Sequence, residues 1–228
     1  MKAILAAVIG ISWSASYILI IRRGFADRSY GMPIVAAGCN VSWEFIFTFI
    51  HPLPWPQPII SGIWFILDVG IVATIVWYGP AEFSRIPRRI FYPGLAGIII
   101  AAYLATLLVA DDLDMARASL AAFASNLLMS GLFLSMLQSR WTSRALGKDP
   151  LRGQSLSIAW TKLNGSACAA LATYLYVFKP YSTSLLLPFL FVTVFVVDLA
   201  YIISLYVARR VLSVTAVAAD LAISAVED

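Results

Sequence analysis

The chain has 228 residues, 61% of them hydrophobic and only 12% charged. A soluble domain carries roughly 25% charged residues, so this composition excludes an ordinary soluble enzyme and points to a polytopic membrane protein. The net charge of +4 calls for no nucleic-acid partner when the basic residues sit in loops beside a lipid bilayer.

A bilayer core of about 30 Å takes about 20 apolar residues per helix. Seven segments reach that length, near 3–21, 32–51, 58–78, 93–110, 118–138, 155–177 and 184–208. They predict an all-α fold: a polytopic membrane protein in which residues 1–228 form one domain, a single bundle of seven transmembrane helices. The first segment is followed by Arg22-Arg23 and not by a small-residue cleavage site, so it reads as a retained helix. Four prolines between Pro52 and Pro58 mark a short turn. Gly79-Pro80, Pro87, Pro93, Pro150 and Pro180 read as further breaks. Cys39 and Cys168 both fall in apolar segments, which argues against a disulfide framework or a thiolate metal site.

Basic residues are unevenly shared between the connections. Those after segments 1, 3 and 5, with the tail after segment 7, carry twelve Lys and Arg, whereas Lys2, Arg117 and Lys179 stand on the other side. The positive-inside rule then predicts the N-terminus outside and the C-terminus in the cytoplasm. Lys162 falls within segment 6.

Three acids lie well inside apolar segments: Glu44, Asp68 and Asp198. Such a group costs about 2.5 to 3.5 kcal/mol to insert, so intramembrane acids default to function. Asn40 and Thr48 flank Glu44 at one helical turn on either side and are expected on its face. At about 1.5 Å per residue the three acids come out near 10, 15 and 20 Å below the outer surface, along one cavity opening outward. Structural use is the competing expectation for any one of them, through a hydrogen bond to a neighbouring helix, and is strongest for Asp68.

Trp43 and Trp64 adjoin Glu44 and Asp68 at depth, which suits stabilisation of a cation by about 2 kcal/mol when dry. Other tryptophans suit interfacial belts, and His51 beside Pro52 reads as interfacial. Asn126 with Ser130, and Ser157, Thr161, Asn164 and Cys168, form polar stripes on segments 5 and 6. Asp198 has Tyr201 nearly one turn after it.

Asp111-Asp112-Leu113-Asp114 is one compact acidic run without a second, and reads as an exposed loop and not as a metal–diphosphate site. Segment 7 has no lysine, so a retinal Schiff base has no anchor there. No nucleophile elbow, His-rich cluster or Gly-rich phosphate loop is present.

Asn40-x-x-Trp43-Glu44-Phe45 resembles the signature of the small integral-membrane terpene cyclases of meroterpenoid and indole-terpenoid biosynthesis, the paspaline-type cyclases and their bacterial relatives. The resemblance extends to Trp64-x-x-x-Asp68 with Thr74 and Gly79-Pro80. It continues in Arg152-Gly153-Gln154-Ser155 leading to Trp160, Lys162, Gly165 and Ser166, and in Asp198. It implies a class II-type cyclase, in which protonation starts the cyclisation of a prenyl chain (farnesyl by expectation) attached to an indole or other aromatic group. No diphosphate leaves, and neither metal nor cofactor is called for. Glu44 and Asp198 match the family's catalytic acids, with Glu44 as the expected donor and Asp198 assisting it. Asn40, Trp43, Trp64, Asp68, Asn126, Trp160, Asn164 and Tyr201 are expected to line the cavity or support those acids.

The implied chemistry agrees with elementary electrostatics. Protonating an alkene or an epoxide needs an acid still carrying its proton near neutral pH, and apolar surroundings favour the neutral carboxyl in general. The alternative is a small seven-helix proton-coupled transporter using the same acids, although neither repeat symmetry nor mid-span helix breaks are evident.

Overall fold

The computed structural model describes residues 1–52, 55, 57–112, 115–178 and 185–227, less the side chains of 112–118, 146, 177–178, 216 and 218–227. The described residues form helices and short connections without a strand. The long helices are α1 (Lys2–Ala26), α2 (Ile34–Phe45), α3 (Gln57–Glu82), α4 (Arg88–Asp112), α5 (Met115–Thr142), α6 (Leu156–Thr173) and α7 (Leu186–Glu227). Two of them, α2 and α6, end in π turns, Ile46–Ile50 and Tyr174–Phe178.

Five helices (α1, α3, α4, α5 and α7) are long and apolar enough to cross a membrane. The shorter apolar run Ile34–Ile50 spans about 25 Å at 1.5 Å per residue, slightly under a bilayer core. α6 is diluted by polar residues, but three of them, Lys162, Asn164 and Ser166, bond to neighbouring helices. Lys162 and Ser166 are buried, and Asn164 donates to Ser12 Oγ at 2.8 Å. The described residues therefore form a membrane-type helical bundle.

α1, α3, α2, α5, α7 and α6 close a ring in that order, and α4 packs outside against α2. α7 lies along both α5 and α6. The ring is solid at one end and hollow at the other. Ile20, Met32, Ile71, Ile75, Phe133, Leu163, Tyr201 and Leu205 fill the half toward the connections after α1, α3 and α5.

Those three connections meet, as the count of basic residues anticipates. Arg152 grips Glu82 through two parallel bonds, Nε to Oε1 and Nη2 to Oε2, both 2.7 Å. Asp27 Oδ2 accepts from the Gly153 amide at 2.6 Å. The buried Arg140 donates to the carbonyls of Arg152 and Tyr30 and to Ser29 Oγ. Gly153 has φ +69°, and a Cβ there would collide with the Tyr30 carbonyl, so this close approach needs glycine. Ser155 Oγ then caps α6 by accepting from Ile158 N at 3.2 Å.

Several expected boundaries move. α3 runs through Gly79-Pro80 to Glu82, and α4 starts at Arg88 and contains Pro93. Pro80 leaves the Val76 carbonyl without its helical N–H, and the Tyr92 hydroxyl of α4 donates to that oxygen at 3.4 Å. Gly79 is where Phe91 of α4 packs closest, since a Cβ would stand 2.5 Å from its Cζ. Gly79-Pro80 is thus a packing site and not a break. Asp111 and Asp112 belong to the last turn of α4 and not to a loop, and Asp111 pairs with His51 at 2.9 Å. Leu113, Asp114 and Pro180 lie outside the described residues. α7 continues well beyond residue 208, to Glu227.

Candidate active site

The hollow half holds a cavity of about 400 Å³, within the range of small-molecule sites. Its walls come from the start of α1, the second half of α2, the start of α3, the first half of α5 and the end of α6. It therefore occupies the end of the bundle remote from the basic connections.

Glu44 is the acid on its wall, only 6% exposed, with Oε2 lacking a hydrogen-bond partner among the described residues and the Ser61 hydroxyl beside it. Around it stand Asn40, Trp43 and Trp64, all lining the cavity. Trp64 Nε1 donates to Ser14 Oγ at 3.0 Å, which fixes the plane of that ring. Trp13 and Tyr17 of α1 continue the aromatic wall. Their ring centroids are 5.7 Å apart, and Tyr17 stands edge-on to Trp64 at 6.5 Å. Gly165 of α6 permits this, because a Cβ there would fall 2.9 Å from Trp13 Cδ1 and Nε1. Phe123, Met129 and small residues complete the apolar lining, while Gln57, Ser125, Asn126 and Thr173 give it polar points.

Asp68 does not reach the cavity. It is fully buried behind Tyr17 and Asn40, and both of its oxygens lack hydrogen-bond partners among the described residues. Asn40 Nδ2 donates to Tyr17 Oη at 2.6 Å, so the amide, the phenol and the two carboxyls form one polar cluster set into α1, α2 and α3. Glu44 thus has Asp68 as its neighbouring carboxyl.

Asp198 is placed elsewhere. Its Oδ1 accepts from Lys162 Nζ at 2.6 Å, and both side chains are 2% exposed. Lys162 also donates to Ser130 Oγ at 2.7 Å and to Asn126 Oδ1 at 3.3 Å. Asp198 is absent from the cavity wall, so the three acids do not line one channel. An ion pair between α6 and α7 stands in place of the expected pair of neighbouring acids Glu44 and Asp198.

The remaining candidates divide as well. Tyr201 is buried and donates to Gln154 Oε1 at 3.0 Å, in the solid half. Asn164 ties α6 to α1 through Ser12 and does not line the cavity. Trp160 is 54% exposed on the outer surface of the bundle. Thr48 does not line the cavity; it lies in the π turn that begins at Ile46, with its methyl beside Gly62 of α3. Sequence reasoning missed Trp13, Tyr17, Gln57 and Ser61 near the site. It noted Lys162 and Ser130 without pairing them. The available signal was Lys162 itself, a lone cation inside an apolar segment that required an acid.

The family model for Pyr4-like transmembrane terpene cyclases matches residues 1–211. "Pyr4-family terpene cyclase mfmH" of Annulohypoxylon moriforme is 30% identical over 206 residues, covering 84% of this chain and 80% of that protein. "Terpene cyclase macJ" of Penicillium terrestre is 28% identical over 72% of this chain and 63% of its own length. "Terpene cyclase pyr4" of Aspergillus fumigatus is 29% identical over 69% of this chain and 64% of its own. No solved structure matches the chain. With a membrane-type bundle, an acid set into an aromatic cavity and a family match running from residue 1 to residue 211, the chain belongs to the Pyr4-like transmembrane terpene cyclases.

Proposed function

We propose that the protein cyclises a prenyl chain of the farnesyl size class, attached to an indole or other aromatic group, and that Glu44 donates the proton that starts the reaction. The observation that carries this reading is the position of Glu44. It is the acidic residue among those lining a cavity otherwise walled by aromatic, aliphatic and neutral polar side chains. A positioned general acid contributes about 10² to 10⁴ in rate. The cavity folds the chain, and the ring faces of Trp13, Trp43 and Trp64 stabilise the cation as it moves along the polyene. Asn40, Tyr17 and Asp68 fix the surroundings of the donor, while Asp198 supports the site from behind its wall. The initiating step asks for no metal, because no diphosphate leaves. In this reading α2 and α6 also span the bilayer, giving seven spans. The positive-inside rule puts the N-terminus outside, the C-terminus in the cytoplasm and the cavity on the outer side.

Membranes containing the protein, supplied with a farnesylated indole with and without a terminal epoxide, test the reading. The expected result is an isomeric cyclised product from wild type and none from Glu44→Gln. A folded Glu44→Gln protein that cyclises at the wild-type rate removes Glu44 as donor. Absence of turnover on every prenylated aromatic tried removes the substrate class.

A further inference from the structure

The seam between α1 and α3 is closed along most of its length by contacts that advance in step on the two helices. Trp64 Nε1 meets Ser14 Oγ at 3.0 Å. Further in, a Cβ on Gly70 would stand 2.9 Å from Ile21 Cδ1, and a Cβ on Gly24 would stand 3.1 Å from Thr74 Cγ2. The two helices therefore run parallel, with Ser14, Ile21 and Gly24 on the face of α1 that meets α3.

One turn outward from Ser14 and Trp64, the same register sets Gly10 opposite Ile60, and there the seam parts. A Cβ on Gly10 would meet no atom within 4 Å among the described residues. Gly10 and Ile60 line the cavity instead, as do Ala6 and Gln57 beyond them. Ala6 is also exposed on the outside of the bundle, so cavity and surface meet at this point. The side chains that flank it outside, Ile11, Ile59 and Ile63, are apolar and exposed, and α4, the helix outside the ring, packs on α2. The parting therefore faces the hydrocarbon of a bilayer and not water.

A prenylated aromatic is held in lipid more than in water, and one prenyl chain, like one acyl chain, partitions reversibly. We infer that the parting between α1 and α3 is the door of the cavity, through which this substrate enters sideways from the adjoining leaflet and the product leaves. This rests on the cyclase reading, which it deepens by giving the substrate a route that never crosses water. Glycine at position 10 leaves the door open, since a larger side chain would stand in it.

Gly10→Phe tests it, because a ring there enters the parting while the loss of a helix-weakening glycine favours folding. Gly97→Phe is the control: Gly97 of α4 is also open, but does not line the cavity. Both are made in the full chain carrying Glu44→Gln, which keeps the ligand unconverted, and held in phosphatidylcholine nanodiscs. Uptake of tritiated farnesylated indole and its release into an unlabelled chase are timed, with empty nanodiscs correcting for the lipid. A door sets rates and not affinity, so Gly10→Phe is expected to slow uptake and release alike by about tenfold or more, with the affinity within about threefold of the parent. Gly97→Phe is expected to change neither. Unchanged rates with Gly10→Phe overturn the inference. So does a loss of affinity carried by release alone, which would make Gly10 part of the binding wall. Should Gly10→Phe not be recovered folded, Gly10→Cys with Cys39→Ala and Cys168→Ala decides. Benzyl methanethiosulfonate added after folding is then expected to slow both rates, and a fully labelled protein with unchanged rates overturns the inference. Conversion is assayed separately with Glu44 restored. A protein that takes up the ligand and converts none refutes the cyclase reading alone, while the rates still judge the door.

Discussion

Arg140→Met tests whether the solid end of the bundle is held by one side chain. Arg140 is 3% exposed and reaches both connections at once: the Tyr30 carbonyl at 2.8 Å and Ser29 Oγ at 3.1 Å on one, the Arg152 carbonyl on the other. Its guanidinium also covers the Tyr30 ring at 4.7 Å from the centroid. Ser29 passes the contact on, donating to Glu82 Oε1 at 2.6 Å. Methionine keeps much of the stem but removes every donor. Each bond to a charged group contributes about 1.5 to 3 kcal/mol, and the stranded carbonyls add a desolvation penalty. Relief from burying the cation offsets part of this, so about 3 to 5 kcal/mol is expected. At roughly 2 to 4 °C per kcal/mol for a chain of this length, Tm should fall by about 6 to 20 °C. Arg140→Lys should recover less than half, since one ammonium cannot span acceptors on two connections as a planar fork does. Thermal unfolding in detergent, followed by fluorescence-detected size exclusion, gives the shift. Substrate affinity of the folded fraction should not change, because the cavity is at the other end. An Arg140→Met protein within about 2 °C of wild type would refute the reasoning.

Other consequences are open to direct measurement. Gly165→Ala places a methyl 2.9 Å from the Trp13 ring, so it should cost about 1 to 3 kcal/mol and change the product ratio; an unchanged ratio with unchanged Tm would disprove the close contact. Trp64→Leu should lower turnover by about tenfold or more through loss of cation stabilisation. Trp160→Leu, on the outer surface, should stay within about twofold of wild type, and a larger loss would place that ring in the reaction. Turnover in membranes should survive EDTA, and strong inhibition would count against metal-free initiation.

The apolar segments were legible because length and hydropathy are local properties. So was the meeting of three connections at one end, which follows from alternating direction in a bundle. The place of Glu44 was legible too, since a carboxyl in an apolar run has few uses. Which side of each helix faces inward was not. Lipid and core are equally apolar, so the sequence around Trp160 and around Trp43 offers the same pattern although one ring faces out and the other in. The Lys162–Asp198 pair depends on the relative height of α6 and α7, two helices separated by a connection, and depth counted along each chain segment carries no such register. Pro80 and Pro93 misled for another reason: a bundle can return the lost hydrogen bond from a neighbour, as Tyr92 does for Val76.

The π turn at the end of α2 separates two demands on one helix. It takes one residue more than an α turn over the same advance, so the residues before and after it obey different rotational phases. The earlier phase is set by the cavity, through Asn40 and Glu44. Within the turn Phe49 packs against Phe65 of α3 at 5.6 Å, as Phe45 just before it does. Removing a single residue within 46–50 would convert the π turn to an α turn over the same advance, so the headings of Glu44 before it and of the chain after it should both be kept. A change of one residue at this turn is thus absorbed within it, and the heading of the acid is insulated from it.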